Sequence, residues 1–182
     1  MLYIIRHGKT DWNVRHKLQG RTDIPLNEEG REMARRAHDE YLNIHLDVCY
    51  CSPLIRAKET AEILLDGRNI PIITDERLSE MAFGIFEGKE NSFEDKDCPI
   101  NELFFSPGTY IAKEGYGESL DELFERTGSF LKEILPMAEA GQDILIVGHG
   151  AMNSSIITQV RHRTRDQFWS EGIENCVMKK LL

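Results

Sequence analysis

The sequence predicts an α/β fold: a mostly parallel central sheet flanked by helices, with an inserted cap segment. Three observations predict it. Short apolar runs, Leu2-Tyr3-Ile4-Ile5 and Ile144-Leu145-Ile146-Val147-Gly148 foremost, have the length of buried strands rather than of helices. Segments of helical periodicity alternate with these runs, the βαβ pattern of a parallel sheet. Between Gly88 and Gly117 the regular pattern fails, as it does where a long connection is inserted into a compact domain.

Taken in order, Leu2 to Ile5 reads as the first strand. Asn27, with Glu28 and Glu29 after it and Met33, Ala34, Ala37 and Tyr41 at helical spacing, reads as a capped amphipathic helix. Asp47 to Cys51 is a short strand, and Ser52-Pro53 supplies an N-cap and a first-turn proline for a helix through about Leu65, with Arg56 in its first turn. Pro71 to Thr74 is a third strand. Ser119 and Glu122 form a capping-box pattern ahead of Leu123, Phe124, Phe130 and Leu131, in a helix expected to end near Pro136. Asp143 to Val147 is a central strand, Gly150 to Val160 the following helix, and Cys176 to Leu182 a last strand at an edge. In the insertion, Phe93, Phe104, Phe105, Tyr110 and Tyr116 are scattered among charges, Pro99 and Pro107, so it forms either a lid or a satellite core of its own.

A chain of 182 residues fits one domain over 1–182, with the cap at about 89–117. The net charge of -9 opposes nonspecific nucleic-acid binding, which demands a basic surface. No apolar run approaches the roughly 18 residues of a membrane span. The first residues are too short and wrongly charged for a signal peptide, so a cytoplasmic location without a membrane partner is expected. Cys49, Cys51, Cys98 and Cys176 lack CxxC spacing and read as reduced thiols, not as a zinc site.

The chemistry lies at the strand ends. His7 and His149 each follow an apolar run, and ligands of open α/β sheets sit beyond the carboxyl ends of the strands, so both imidazoles and Arg6 converge on one expected pocket.

Further residues extend this pair along nearly the whole chain: Arg6-His7-Gly8-Lys9-Thr10, Asn13, Gln19-Gly20, Asp23-Ile24-Pro25-Leu26, Ser52-Pro53-Leu54-Ile55-Arg56-Ala57, Glu80, Gly84, Glu87-Gly88 and Gly148-His149-Gly150. In order and approximate spacing the set resembles the histidine phosphatase superfamily, in its phosphoglycerate-mutase-like branch and of small phosphatase type. The resemblance implies that His7 takes up the phosphoryl group as phosphohistidine, splitting one hard displacement into two easier ones. Its other ring nitrogen is expected to be held by a backbone carbonyl of the adjoining loop. Arg6, Arg56 and His149 would hold the phosphoryl oxygens, as a site without a metal requires, and His149 is expected to have a raised pKa beside that anion. Gly148 and Gly150 would let the backbone and a helix N-terminus approach the phosphate. Asn13 and Gln19 resemble substrate or phosphate contacts, although turn chemistry is their alternative. Glu80 matches the general acid that protonates the departing oxygen and then activates water; Glu76 and Glu87 are its rivals by composition.

The sequence departs from the family's usual pattern at Lys9, Phe86 and Ala151-Met152-Asn153, which affects substrate fit rather than the catalytic groups. The acids Glu90, Glu94, Asp95, Asp97, Glu102 and Glu114 outnumber Lys89, Lys96 and Lys113 in the insertion, so a bisphosphate pocket there is disfavoured. The expected activity is metal-independent hydrolysis of a small phosphorylated metabolite, without a cofactor. A phosphoglycerate mutase-type transferase and a phosphate-binding regulatory protein are the alternatives. Metal hydrolysis by His7, Glu80 and His149 is opposed by Arg6 and Arg56, which would repel a cation. The oligomeric state stays open.

Overall fold

The computed structural model describes residues 1–92 and 94–182; Phe93 lies outside the described residues. Strand β1 (Leu2–Arg6) is followed by a short helix, α1 (Asp11–Val14), and by α2 (Glu28–Tyr41), which Asn27 caps by accepting from the Gly30 amide. Then come β2 (Val48–Cys51), α3 (Ile55–Leu64), β3 (Ile72–Thr74) and α4 (Asn101–Phe105). The chain continues through α5 (Leu120–Glu139), β4 (Ile144–Gly148), α6 (Gly150–Val160) and β5 (Lys179–Lys180). The sheet order is β3-β2-β4-β1-β5, parallel except for β5 at one edge. The mostly parallel sheet flanked by helices is therefore the fold expected of the sequence.

Side-chain alternation along the strands divides the core into two faces. Ile5, Leu145, Val147, Cys49 and Cys51 pack with Ala34 and Ala37 of α2 and with Ala57, Ala61 and Leu64 of α3. Leu2, Ile4, Ile144 and Ile146 pack on the other side with Phe130 and Ile134 of α5 and with Ile156 of α6. All of β4 is buried, as a central parallel strand covered on both faces must be. The small alanines let α2 and α3 lie close to the sheet, and this holds the start of α3 near the end of β1.

Three elements differ from the sequence expectation. Leu54, not Ser52, occupies the N-cap of α3, with no side-chain cap, because the Ser52 hydroxyl is engaged by His149. Helix α5 runs through Pro136 to Glu139; Pro136 is exposed in the last turn, where its missing N–H and the carbonyl it leaves free can face water. The last strand shrinks to Lys179–Lys180 because Cys176, at φ 58°, takes a left-handed conformation that breaks an extended run.

The insertion is not a separate satellite core. Ile100, Leu103 and Tyr110 are buried continuously with Phe83, Phe86 and the sheet-facing side chains, while Phe105 is exposed. Phe86 packs edge-on against Tyr116 at 4.9 Å, and Lys9 pairs with Glu29 at 2.6 Å. All four cysteines are free thiols. Burial pushes Cys51 and Cys176 up to about 12, so neither is a thiolate near neutral pH. No helix among the described residues is long and apolar enough to cross a membrane.

Candidate active site

His7 and His149 extend from β1 and β4, which are neighbours in the sheet with Arg6 in register with Gly148. The His7 amide donates to Gly148 O at 2.9 Å, and the ring centroids lie 5.1 Å apart. His7 Nδ1 is 2.6 Å from Gly8 O. A carbonyl only accepts, so Nδ1 carries the proton and Nε2 keeps its lone pair. Asn175 Nδ2 donates to His7 O and the Thr60 hydroxyl accepts from the Gly8 amide, which fixes the backbone on both sides of the ring.

Arg56 is wholly buried in the first turn of α3 and donates to Thr22 O at 2.9 Å and Gly20 O at 2.7 Å. Arg6 donates to Ile173 O at 3.0 Å. The Nε groups of both arginines are buried without a partner among the described residues, so each guanidinium retains donor capacity for an anion. Glu87 anchors the loop that holds Arg56: its carboxylate accepts from the amides of Arg21, Thr22 and Phe83 and from the Thr22 hydroxyl. Gly20 has φ 53°, and a Cβ there would stand 2.0 Å from Glu87 Oε1, so that loop closes on the carboxylate only with glycine. Glu76 is exposed. Of the three candidate acids, Glu80 alone lines the cavity.

Glu80 also replaces a side-chain cap for α6, whose N-cap, His149, makes no side-chain capping bond. Its Oε2 accepts from the Gly150 and Ala151 amides at 2.9 and 3.2 Å, and its Oε1 from the Met152 and Met81 amides at 3.0 and 2.8 Å. The expectation that the α6 N-terminus presents its amides to the phosphate is corrected here, since the nearest internal anion already occupies them. Gly148 serves local packing instead: a Cβ there would stand 1.9 Å from Met152 Cε, whereas one at Gly150 would meet ordinary contacts.

The shift at His149 runs opposite to the one expected beside a phosphoryl anion. Burial, then Arg56, His7, Arg6 and Arg126, hold His149 well below the usual histidine value. Burial, Arg56 and Arg6 lower His7 likewise, against the opposing Gly8 carbonyl. Burial brings Arg56 down to about 10, so it stays a cation at neutral pH.

Both depressed histidines couple stability to pH in one direction. Below about pH 6.5 the unfolded chain binds protons that the folded chain refuses, so stability is lost as pH falls and is independent of these groups above that value. The slope should reach up to about 1.4 kcal/mol per pH unit for each histidine. Urea midpoints measured between about pH 5 and 7.5 test it; a flat profile would show that folding does not shift these histidines, and one rising toward acid that folding favours their imidazolium form.

Asn13 and Gln19 both line the cavity, and both have local partners. Asn13 Oδ1 accepts from the Thr10 amide and hydroxyl, and Gln19 Oε1 lies 2.8 Å from the same hydroxyl. Turn chemistry thus occupies their oxygens, and what each can offer a phosphate is its NH2 group.

The cavity, of about 300 Å³, opens above Arg6, His7, Arg56 and Glu80. His149 is fully buried beside His7, a lining residue, and is not itself part of the lining. Leu18, Phe83, Phe104 and Trp169 form an apolar wall, with Phe104 stacked on Trp169 at 5.3 Å. Lys17 and His16 also line the cavity, where Lys17 pairs with Glu90 at 3.5 Å and His16 with Glu94 at 3.0 Å. Sequence reasoning missed Trp169, Ser52 as the partner of His149, and Glu87 as a loop anchor. Ser52 stood in a motif already quoted, whereas nothing local to Trp169 placed it at the cavity. Among the described residues, His45, Asp47 and Asp143 gather metal-type donors, but they precede β2 and β4, at the opposite sheet end, and Asp143 already pairs with the N-terminal ammonium.

The family profile of the histidine phosphatase superfamily (branch 1) matches residues 2–182. The chain is 34% identical over 157 residues to a Bacillus subtilis (strain 168) protein named uncharacterized phosphatase PhoE, covering 86% of this chain and 75% of that one. It is 29% identical to the 2,3-bisphosphoglycerate-dependent phosphoglycerate mutase 2 of Gloeobacter violaceus, covering 97% and 83% of the two chains. Among solved structures, Bacillus stearothermophilus YhfR superimposes with a TM-score of 0.86 at 33% identity, covering 97% of this chain and 88% of that one.

Proposed function

The chain belongs to the histidine phosphatase superfamily, and from that premise we propose that it is a metal-independent phosphatase that hydrolyses a small phosphomonoester through a phosphohistidine on His7. The observation that carries this reading is the His7 ring, with Nδ1 pinned to Gly8 O and Nε2 left as the free nucleophile beside Arg6 and Arg56. Nε2 attacks phosphorus, the bond to the ester oxygen breaks, and Glu80 gives that oxygen a proton. Water then attacks the phosphohistidine, Glu80 takes its proton back, and phosphate leaves with His7 restored. Arg6, Arg56 and His149 offset the charge on the nonbridging oxygens through both steps. The Glu80 oxygens already accept four amide bonds, so the side chain must release at least one of them to carry the proton.

Hydrolysis is preferred to mutase-type transfer because a bisphosphate requires a second clamp of cations. At the mouth, Lys17 and His16 are instead paired with Glu90 and Glu94 of the cap. The segment 89–117 then serves as the cap of a single catalytic domain, and a volume of about 300 Å³ suits a compact phosphorylated metabolite. A cytoplasmic location fits the free thiols.

The test is inorganic phosphate release from a panel of sugar phosphates, phosphoglycerates, phosphoserine and aryl phosphates, each with and without EDTA. Release on at least one ester, unchanged by EDTA, is the expected outcome. Activity lost to EDTA and restored by a divalent cation would overturn the metal-free reading.

A further inference from the structure

Ser52 stands where a helix cap was expected and makes a different bond. Its Oγ lies 2.7 Å from His149 Nε2, with both side chains fully buried. The Leu54 amide, at 3.3 Å, donates to the same oxygen. A hydroxyl has one proton and two acceptor positions; Leu54 N–H fills one of those positions, and among the described residues His149 Nε2 is the one side-chain partner of Oγ to which its proton can go. Among the described residues, His149 Nδ1 is buried without a partner. The surrounding cations and burial keep the ring neutral near neutral pH, so a single ring proton is shared between two nitrogens and its position is a real choice.

We propose that Ser52 is a positioning residue that donates to His149 Nε2 and thereby holds the ring as the Nδ1–H tautomer, the form that can donate to a nonbridging phosphoryl oxygen. The opposite tautomer would present a lone pair at Nδ1 and repel that oxygen. The two histidines are then set by opposite devices. A carbonyl acceptor holds the Nδ1 proton of His7 directly, and a hydroxyl donor on the far nitrogen sets that of His149. An unpaired buried donor is costly in the free protein, and the phosphoryl oxygen relieves that cost when charge builds on it. The inference rests on the phosphatase reading only for the identity of the acceptor; the tautomer belongs to the free protein.

The closing experiment reads the two apart. Nitrogen-15 NMR of the full chain near neutral pH should show His149 with a protonated Nδ1 and a bare Nε2. Ser52→Ala should lose that preference and lower kcat on p-nitrophenyl phosphate by about 100-fold with little change in KM. Ser52→Cys keeps the shape but has a weak donor, so it should fall between the two; a purely packing role predicts that it equals the native chain. An Nε2–H tautomer in the native spectrum, or native kcat in Ser52→Cys, would overturn the proposal, and the spectrum decides even if Ser52→Ala fails to fold. Failure of the phosphohistidine reading shows separately, as turnover retained by His7→Ala with the His149 tautomer unchanged.

Discussion

Replacing His7 with alanine is expected to lower phosphate release by about 10⁴-fold or more, since in the proposed mechanism the group removed forms the covalent intermediate. No described neighbour can stand in for it. His149 is the nearest imidazole, but its Nε2 is bound to Ser52, and in the tautomer proposed above its Nδ1 carries the proton, so neither nitrogen offers a free lone pair. The fold should survive the change. The substitution removes one bond, from Nδ1 to Gly8 O, and leaves that carbonyl unpaired, a cost of about 1–3 kcal/mol. It also removes one of the two imidazoles that resist protonation, so the variant should lose less stability than the native chain as pH falls below about 6.5. Phosphate release and a pH series of thermal melts check both halves. Turnover within tenfold of native would end the covalent assignment, and a trapped acid-labile phosphoprotein in the native chain alone would support it.

Glu80→Gln should produce a double loss that a simple acid or a simple cap would not. As the proposed acid, Glu80 would contribute about 10²–10⁴-fold when the leaving group needs a proton and far less when it does not. Release from an alkyl phosphate should therefore fall much more than release from p-nitrophenyl phosphate. As a cap, its carboxylate joins the Gly150, Ala151 and Met152 amides to the Met81 amide. Glutamine keeps one acceptor oxygen but turns an NH2 group toward N–H donors, which should cost about 1–3 kcal/mol in urea unfolding. Equal losses on both esters would remove the acid role, and an unchanged urea midpoint would remove the cap.

Periodicity made the strands and the main helices legible, because β1 and β4 are short apolar runs and α2 and α5 carry clear cap residues. Their ends were less legible where tertiary partners competed with local rules. Ser52 looked like a cap until a histidine nearly a hundred positions away claimed its hydroxyl, and Pro136 looked like a stop although it lies in a water-facing last turn. The candidate residues His7, Arg6, Arg56 and Glu80 were legible from their motif, and the structure gathers them around one cavity. The electrostatic sign at His149 was not, because it depends on cations brought in from β1 and α3 and on complete burial. Nor was the occupied N-terminus of α6, which is a matter of which anion lies nearest.

Because the two histidines leave adjacent parallel strands at matching register, their 5.1 Å separation is close to the spacing of about 4.8 Å between neighbouring strands. The backbone ladder therefore sets the offset from which both rings start, and Gly8 O and Ser52 Oγ hold each ring from there. Substitutions in the cap can reshape what the cavity admits without resetting that offset. What the cavity admits and how far apart its two imidazoles start are thus set by different parts of the chain.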